Sequence, residues 1–452
     1  MSTSAIGRRR RNIELGLILM AVAITAGLYV LGALGKTATI PANIGPFLVI
    51  VLALLLVAHV ATRRLAPGAD SSLLPVAALL NGIGYVFIAR LDEELAAAQA
   101  TWTFIGIAMF VATLVVLRRV RDLQRLQWTF ALAGLALVVL PLIPGVGRTI
   151  NGSRIWVAFG PISFQPGEFA KIALALFFAG YLVERREMLS VAMGRFGPIA
   201  VPEGRHLLPV LLAWGFSILV MVYQADLGSS LLFFTLFVVM LWVATERSAY
   251  LGVGAIMFSG GAYFAFKTFS RVQTRVDVWI DPWSRAQGKG YQIVQAAFAM
   301  AWGGVTGTGI GLGDPNRVPF AYNDFIFSTI GEELGMLGST AILAAYVIMI
   351  GAGLRIALKA ERPFEKLLAT GLTTILGVQA FIIIAGVIRV LPLTGVTLPF
   401  VSYGGSSLLA NYLLLAILIR LSHDAAERAG EVPHPTPRVP RSVRRAAEAG
   451  AA

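Results

Sequence analysis

Three carboxylates interrupt the apolar stretch VPFAYNDFIFSTIGEELGMLG between Val318 and Gly338: Asp324, Glu332 and Glu333. An ionisable side chain inside a membrane span costs about 3 kcal/mol on insertion scales, so each is a functional candidate by default. If the stretch is one helix opened by Asp324, Glu332 lies about 12 Å further along the axis. Asp324 then sits near the membrane edge and the two glutamates lie deeper. A carboxylate at the edge offers general-base chemistry, and a place at a helix N-terminus favours its ionised form. The alternative is a cap, Asn323 or Asp324 accepting from the first backbone donors of the helix. Glu332 and Glu333 either line a polar cavity or pair with a cation such as Arg389 in the next span.

Other polar groups offer partners for such a base. Glu168 and Lys171 are three apart and meet on one helix face. Arg154, after Asn151-Gly152-Ser153 and two places before Trp156, suits a phosphate or an interfacial anchor. Gln224, Asp226, Gly228, Ser229 and Ser230 interrupt an apolar run, as either a tight connection between spans or a cavity-lining break. The glycines from Gly307 to Gly313 lack the strand and βαβ context of a phosphate loop, so they read as a flexible or closely packed loop. There is no cysteine, and His59, His206, His423 and His434 all lie away from Asp324, which argues against a zinc site or a histidine triad there.

The elements that hold these groups follow from composition. Of 452 residues, 57% are hydrophobic and 13% charged, with a mean hydropathy of +0.76, which describes a polytopic membrane protein. The net charge of +13 does not signal nucleic acid, because the arginines fall between apolar runs and in the tail. The run from Ile13 to Leu34 has no clear cleavage site and reads as a retained span. With about 20 apolar residues per crossing, the fold class is all-α with about twelve spans. These start near Ile13, Ile44, Ser72, Ala100, Leu126, Glu168, Leu207, Leu227, Ala249, Asp324, Glu365 and Gly405.

Arg63/Arg64, Arg118 to Arg125, Arg185/Arg186/Arg195, Arg247 and Lys359/Arg362/Lys366 then share one side, and both termini are expected to be cytoplasmic. Three segments are left outside: Gly145 to Gly167, Thr268 to Asn323 and Leu391 to Gly404. The middle one, with Arg271, Arg275, Asp277, Trp279 and Arg285, is too long for a plain connection. The expected organisation is a segment 1–70 with two added helices, a core 71–422, and a disordered basic tail 423–452.

The order of these pieces resembles the SEDS (shape, elongation, division and sporulation) family. The stretches that carry the resemblance are Asn151-Gly-Ser-Arg-Ile-Trp156, Phe164-Gln-Pro-Gly-Glu-Phe-Ala-Lys171, Gln224-Ala-Asp-Leu-Gly-Ser-Ser230, Gly290-Tyr-Gln292, Asn323-Asp-Phe-Ile-Phe327 with Gly331-Glu-Glu-Leu-Gly335, and Leu398-Pro-Phe-Val-Ser-Tyr-Gly-Gly-Ser-Ser407. The resemblance implies a ten-helix core and polymerisation of lipid II, the undecaprenyl-pyrophosphate-linked disaccharide-peptide, on the outer face of the plasma membrane. It implies an essential aspartate at Asp324 and a class B penicillin-binding protein as the separate transpeptidase partner. The substrate-binding residues then expected are Arg154, Glu168, Lys171, Asp226, Arg271, Arg275, Glu332, Ser402 and Tyr403. No complete metal site is visible, and a divalent cation, Mg2+ or Mn2+, stands as an open requirement.

Three departures qualify the match. Tyr322-Asn323 replaces the His-Thr that many members carry before the aspartate, Ile155 replaces an arginine before the tryptophan, and Thr394 replaces the lysine that division-type members often carry before Gly395. The last points to the elongation branch. The competing functions are a polyprenyl-lipid flippase or other transporter, and a non-enzymatic scaffold.

Overall fold

The computed structural model describes residues 3–39, 44–150, 152–160, 162–190, 194–196, 199–201, 204–224 and 226–431. Long apolar sequences close their own backbone hydrogen bonds as helices, the only open-ended solution in a bilayer. Those helices are α1 (Thr3–Thr37), α2 (Ile44–Leu65), α3 (Leu73–Leu91), α4 (Glu93–Val116), α5 (Gln127–Val139), α6 (Gly167–Glu184), the short α7 (Arg186–Ser190), α8 (Gly204–Tyr223), α9 (Leu227–Thr245), α10 (Ala249–Thr268), α11 (Ser270–Ile280), α12 (Tyr291–Gly303), α13 (Ile326–Lys359), α14 (Pro363–Val387) and α15 (Gly405–Arg428). Among the described residues, ten helical segments are long and apolar enough to cross a membrane, against the twelve expected. The chain is a multi-pass, mostly helical membrane protein. Of the remaining expected spans, α6 carries Glu168, Lys171 and Glu184 within a short helix, and α8 includes side chains outside the described set.

Burial ranks the helices. The apolar windows of α14 and α15 are 78% and 83% buried, whereas that of α10 is 6% buried, so the first two form the axis and α10 lies at the edge. Buried charge ties the axis together: Arg420 on α15 donates to the carbonyls of Leu65, Leu114 and Leu117 at 2.7, 2.8 and 2.7 Å. At the N-terminal pair, Glu14 on α1 accepts from His59 (2.6 Å) and is paired with Arg63, both on α2.

Three expectations change. The segment Thr268 to Asn323, expected as a large outer loop, is partly helical, since α11 and α12 supply 24 of its 56 residues. The segment after Gly145 folds as an antiparallel meander of β1 (Gly147–Ile150), β2 (Ser153–Phe159) and β3 (Ile162–Phe164), so the chain is not purely helical. Ile150 pairs with Ser153 across an Asn-Gly dipeptide, a strong two-residue hairpin signal. A second hairpin joins β4 (Gly194–Phe196) and β5 (Ile199–Val201). Finally, α15 runs on to Arg428, beyond the expected start of the tail at 423, because Asp424 and Arg428 are tied down by the Val120 N–H and by Glu365. Residues 432–452 lie outside the described residues, as do the side chains of Arg195 and His206.

Candidate active site

Asp324 does not open a helix. The first helical residue is Ile326, the capping position is Phe325, and no side-chain cap bond forms there. The capping alternative therefore fails. The reason is that the preceding backbone is pinned elsewhere: Ser402 donates its hydroxyl to the Asn323 carbonyl at 2.7 Å, and the Tyr403 N–H donates to the Tyr322 carbonyl at 2.9 Å. Ser402 also accepts from the Leu398 N–H at 2.9 Å, and the Tyr322 and Tyr403 rings meet edge to face at 6.0 Å. Both residues hold the aspartate's backbone in place.

The Asp324 carboxylate accepts no hydrogen bond from a described residue, and its Oδ1 is fully buried. Burial pushes its pKa up to about 6, against the opposing pull of the Arg275 charge. That value suits a base working near neutrality. Across from it lies Gly395, with φ of +76°, and a Cβ there would stand 3.6 Å from both Asp324 Oδ2 and Arg275 Nη2. Glycine is required at this position by the left-handed backbone, since a Cβ would meet acid and cation only at ordinary contact distance.

Arg275 is held by α11, whose Nη1 to Thr394 carbonyl bond is 3.0 Å. Burial, and then Arg271 one turn earlier, lower its proton affinity. Arg271 reaches the hairpin, with Nη1 3.3 Å from where a Cβ on Gly152 would sit. Asp226 caps α9 by accepting from the Ser229 N–H at 3.0 Å, and its pKa is raised, by burial first. The polar interruption is thus a connection between α8 and α9, with Gly228 packed so closely under Val396 that a Cβ would be 2.2 Å from its side chain.

Arg275 and Thr394 also end an apolar groove of about 700 Å³ between α8, α9, α10 and α11. Ile218, Leu231, Phe234, Phe264 and Val272 are among its walls. Arg275 thus lies both in the apolar groove and beside Gly395, which Asp324 Oδ2 also borders.

The other expected site residues are placed differently. Lys171 and Glu168 are buried and paired at 2.7 Å, and Lys171 donates to Gln379 Oε1 at 2.6 Å. Gln379 passes the contact to the Thr397 carbonyl at 2.9 Å, so this ion pair braces the stretch beneath Gly395. Arg154 donates to the carbonyls of Pro141 (3.0 Å) and Ile143 (3.4 Å), closing the end of the span before the hairpin. Glu332 is not part of the Asp324 cluster: its Oε1 accepts from the Asp314 N–H at 2.8 Å. Glu333 pairs with Arg90 at 3.3 Å rather than with Arg389, whose Nη2 donates to the Trp279 carbonyl at 3.2 Å. The glutamates face the glycine loop because α13 is broken at Gly335 (φ 66°, ψ −163°) and the loop packs into the break. Sequence reasoning overlooked Gln379, whose signal was a lone amide inside an apolar span, and Gly395, which lay within a flagged outer segment.

With this geometry in hand, comparison with known proteins is decisive at the level of family. Residues 72–427 match the family model of FtsW, RodA and SpoVE, described as cell cycle protein. The chain belongs to the FtsW/RodA/SpoVE family. Peptidoglycan glycosyltransferase RodA of Mycobacterium tuberculosis (strain ATCC 25618 / H37Rv) is 43% identical to this family member over 427 residues, 92% of this chain and 91% of that one. Its namesake in Mycobacterium leprae (strain TN) is 42% identical over 438 residues, 94% and 93% of the two chains. Among solved structures, a chain from a study of structural coordination of polymerization and crosslinking by a peptidoglycan synthase complex has a TM-score of 0.66 and 26% identity, covering 79% of this chain and 98% of its own. The rod shape determining protein RodA of Thermus thermophilus has a TM-score of 0.57 and 26% identity, with coverage of 79% and 97%.

Proposed function

We propose that this family member is a peptidoglycan glycosyltransferase that polymerises lipid II, with Asp324 as its general base. The observation that carries the reading is the Asp324 carboxylate, which accepts no hydrogen bond from the described residues and shares the neighbourhood of Gly395 with Arg275, itself a lining residue of the apolar groove. The groove takes the polyprenyl chain of the donor. Arg275, with Arg271 one turn away, takes the pyrophosphate through charge-assisted hydrogen bonds. Asp324 removes the proton of the acceptor sugar hydroxyl, whose oxygen attacks the anomeric carbon of the donor. The new glycosidic bond forms as the bond from that carbon to the pyrophosphate oxygen breaks, with inversion. The proton stays on Asp324 and the electron pair leaves with the lipid pyrophosphate.

Among the described residues no three His, Asp or Glu side chains are grouped to hold a metal. A Mg2+ or Mn2+ needs only one or two carboxylates when substrate phosphates complete its shell, so any such cation would come with the substrate pyrophosphate rather than be held by the base. Such a cation would supply charge neutralisation for the leaving pyrophosphate.

The arginine bias between spans supports cytoplasmic termini and an outward-facing Asp324, so that sugars attached to lipid reach it at bilayer level. The peptidoglycan synthase complex among the structural relatives supports a class B penicillin-binding protein as the cross-linking partner. The test is polymerisation of purified lipid II by the protein reconstituted with that partner, where Asp324→Ala is expected to abolish product. Full activity in the variant, or labelled lipid crossing liposomes without polymer, would overturn the assignment.

A further inference from the structure

Helices α1 and α2 lie before residue 72, where the family match begins, yet α1 reaches the same loops as the active site. Its outer end carries Gly32 and Gly35, and against them lies the glycine loop, backbone to backbone. A Cβ on Gly35 would stand 2.3 Å from the Ile310 carbonyl oxygen, and one on Gly311 2.4 Å from the Gly32 carbonyl oxygen. A Cβ on Gly32 would be 3.2 Å from Ile310 Cγ2. Small residues permit this approach and nothing larger does. Gly311 also has φ of +81°, so its identity is fixed twice over.

The loop is gripped from the other side as well, at Gly311, Gly313 and Asp314. Arg90 on α3 donates to the carbonyls of Gly311 (3.3 Å) and Gly313 (3.0 Å). Glu333 accepts from the Gly311 N–H at 2.9 Å, and Glu332 from the Asp314 N–H. The chain then runs through the turn at Pro315–Arg317 and the buried Val318 and Ala321 to Asp324, whose far side is fixed by Ser402 and Tyr403. The aspartate is thus suspended between two anchors, and α1 forms one wall of the first.

We propose that α1 is a positioning element for the reaction, its Gly32 to Gly35 face seating the 307–313 loop and so the segment that ends in Asp324. The inference rests on Asp324 being the base. Misplacement by about 1 Å from a change remote from the chemistry can cost about a hundredfold in rate, and a Cβ on Gly35, 2.3 Å from the Ile310 carbonyl oxygen, forces a displacement of about that size that helix and loop share.

The test is Gly35→Val in the full chain, reconstituted with its partner, with initial rates measured against lipid II concentration across pH. The expected result is a fall of about tenfold in kcat with KM within about twofold, and an acid limb moved to lower pH as water reaches the loosened carboxylate. A merely structural defect lowers the amount of active protein without moving that limb. Gly27→Val, on the same helix with open space at its Cβ, is expected to match the unaltered protein. If Gly35→Val does not fold, Ile310→Ala replaces it: it removes the side chain that meets Gly32 and adds no bulk, with an expected fall of about threefold and the same direction of shift. An unmoved limb with unaltered kcat in whichever variant folds would overturn the proposal. Asp324→Asn run alongside separates the two readings. If it is inactive while Gly35→Val is normal, this inference alone fails; if it remains active, the base assignment fails and this inference with it.

Discussion

Two acidic regions on one stretch of chain behave in opposite ways. Glu332 and Glu333 each give an oxygen to a backbone N–H of the glycine loop, and Glu333 has Arg90 beside it. Asp324 receives nothing from the described residues, although Ser402 and Tyr403 fix its backbone tightly. The contrast teaches that burial alone does not mark a reactive carboxylate. Glu332 Oε2 is as short of a hydrogen bond as Asp324 Oδ1, so the difference lies in the other oxygen: each glutamate spends one on a loop N–H and so holds structure together, whereas Asp324 spends neither on the described residues while its backbone is fixed.

The sharpest way to break this contrast is to neutralise each member. Asp324→Asn is expected to lower the rate of lipid II polymerisation by about a thousandfold, within the range for removal of a general base, while Glu332→Gln stays within about fivefold. Equal losses in the two variants would dissolve the distinction. Glu333→Ala is expected to act on folding, costing about 3 kcal/mol because it strands Arg90, read as a lower thermal midpoint in detergent. A normal midpoint would mean that the loop does not depend on it.

Arg275→Gln tests the cation across Gly395. A loss of about tenfold in kcat is expected, together with an acid limb displaced above the position near 6. The sign follows from the charge, since Arg275 favours the ionised carboxylate and its removal raises the pKa further. A limb that stays put would separate Arg275 from the base. The smallest effect concerns stability. Because the folded-state pKa of Asp324 lies above the ordinary carboxylate value of 3.8, the folded protein holds that proton more tightly than the unfolded chain does. Its contribution is therefore present at low pH and lost as pH rises through about 6. At pH above that window, Asp324→Asn is expected to raise the thermal midpoint by about 2 °C, and a lowered midpoint would contradict the assignment of an unsatisfied charge.

Sequence was a good guide where one property decided the outcome. Runs of apolar residues marked most of the membrane helices. It was a poor guide where the partner was backbone. Nothing in Gly311 or Asp314 announces that their amides will satisfy Glu333 and Glu332, since an N–H is present at nearly every position. The pairing of Lys171 with Glu168 was legible in their spacing, but its brace, Gln379, was not, being some 200 positions away and neutral. The meander after Gly145 was legible in Asn151-Gly152 but was passed over because the rest of the chain is helical.

The break at Gly335 bears on how the protein is made. Residues 336–359 form a helix of about 36 Å, enough to cross a bilayer unaided, whereas residues 326–334 are too short to do so. At the join, the Met336 and Leu337 N–H groups bond to the Gly304 and Val305 carbonyls, and the Glu332 and Glu333 carbonyls accept from Thr308 and Gly309. The longer piece can therefore enter the membrane during synthesis as an ordinary segment. The shorter piece has to be spliced on once the glycine loop has arrived to complete its backbone. Completion of the backbone of 326–334 then waits on the arrival of that loop.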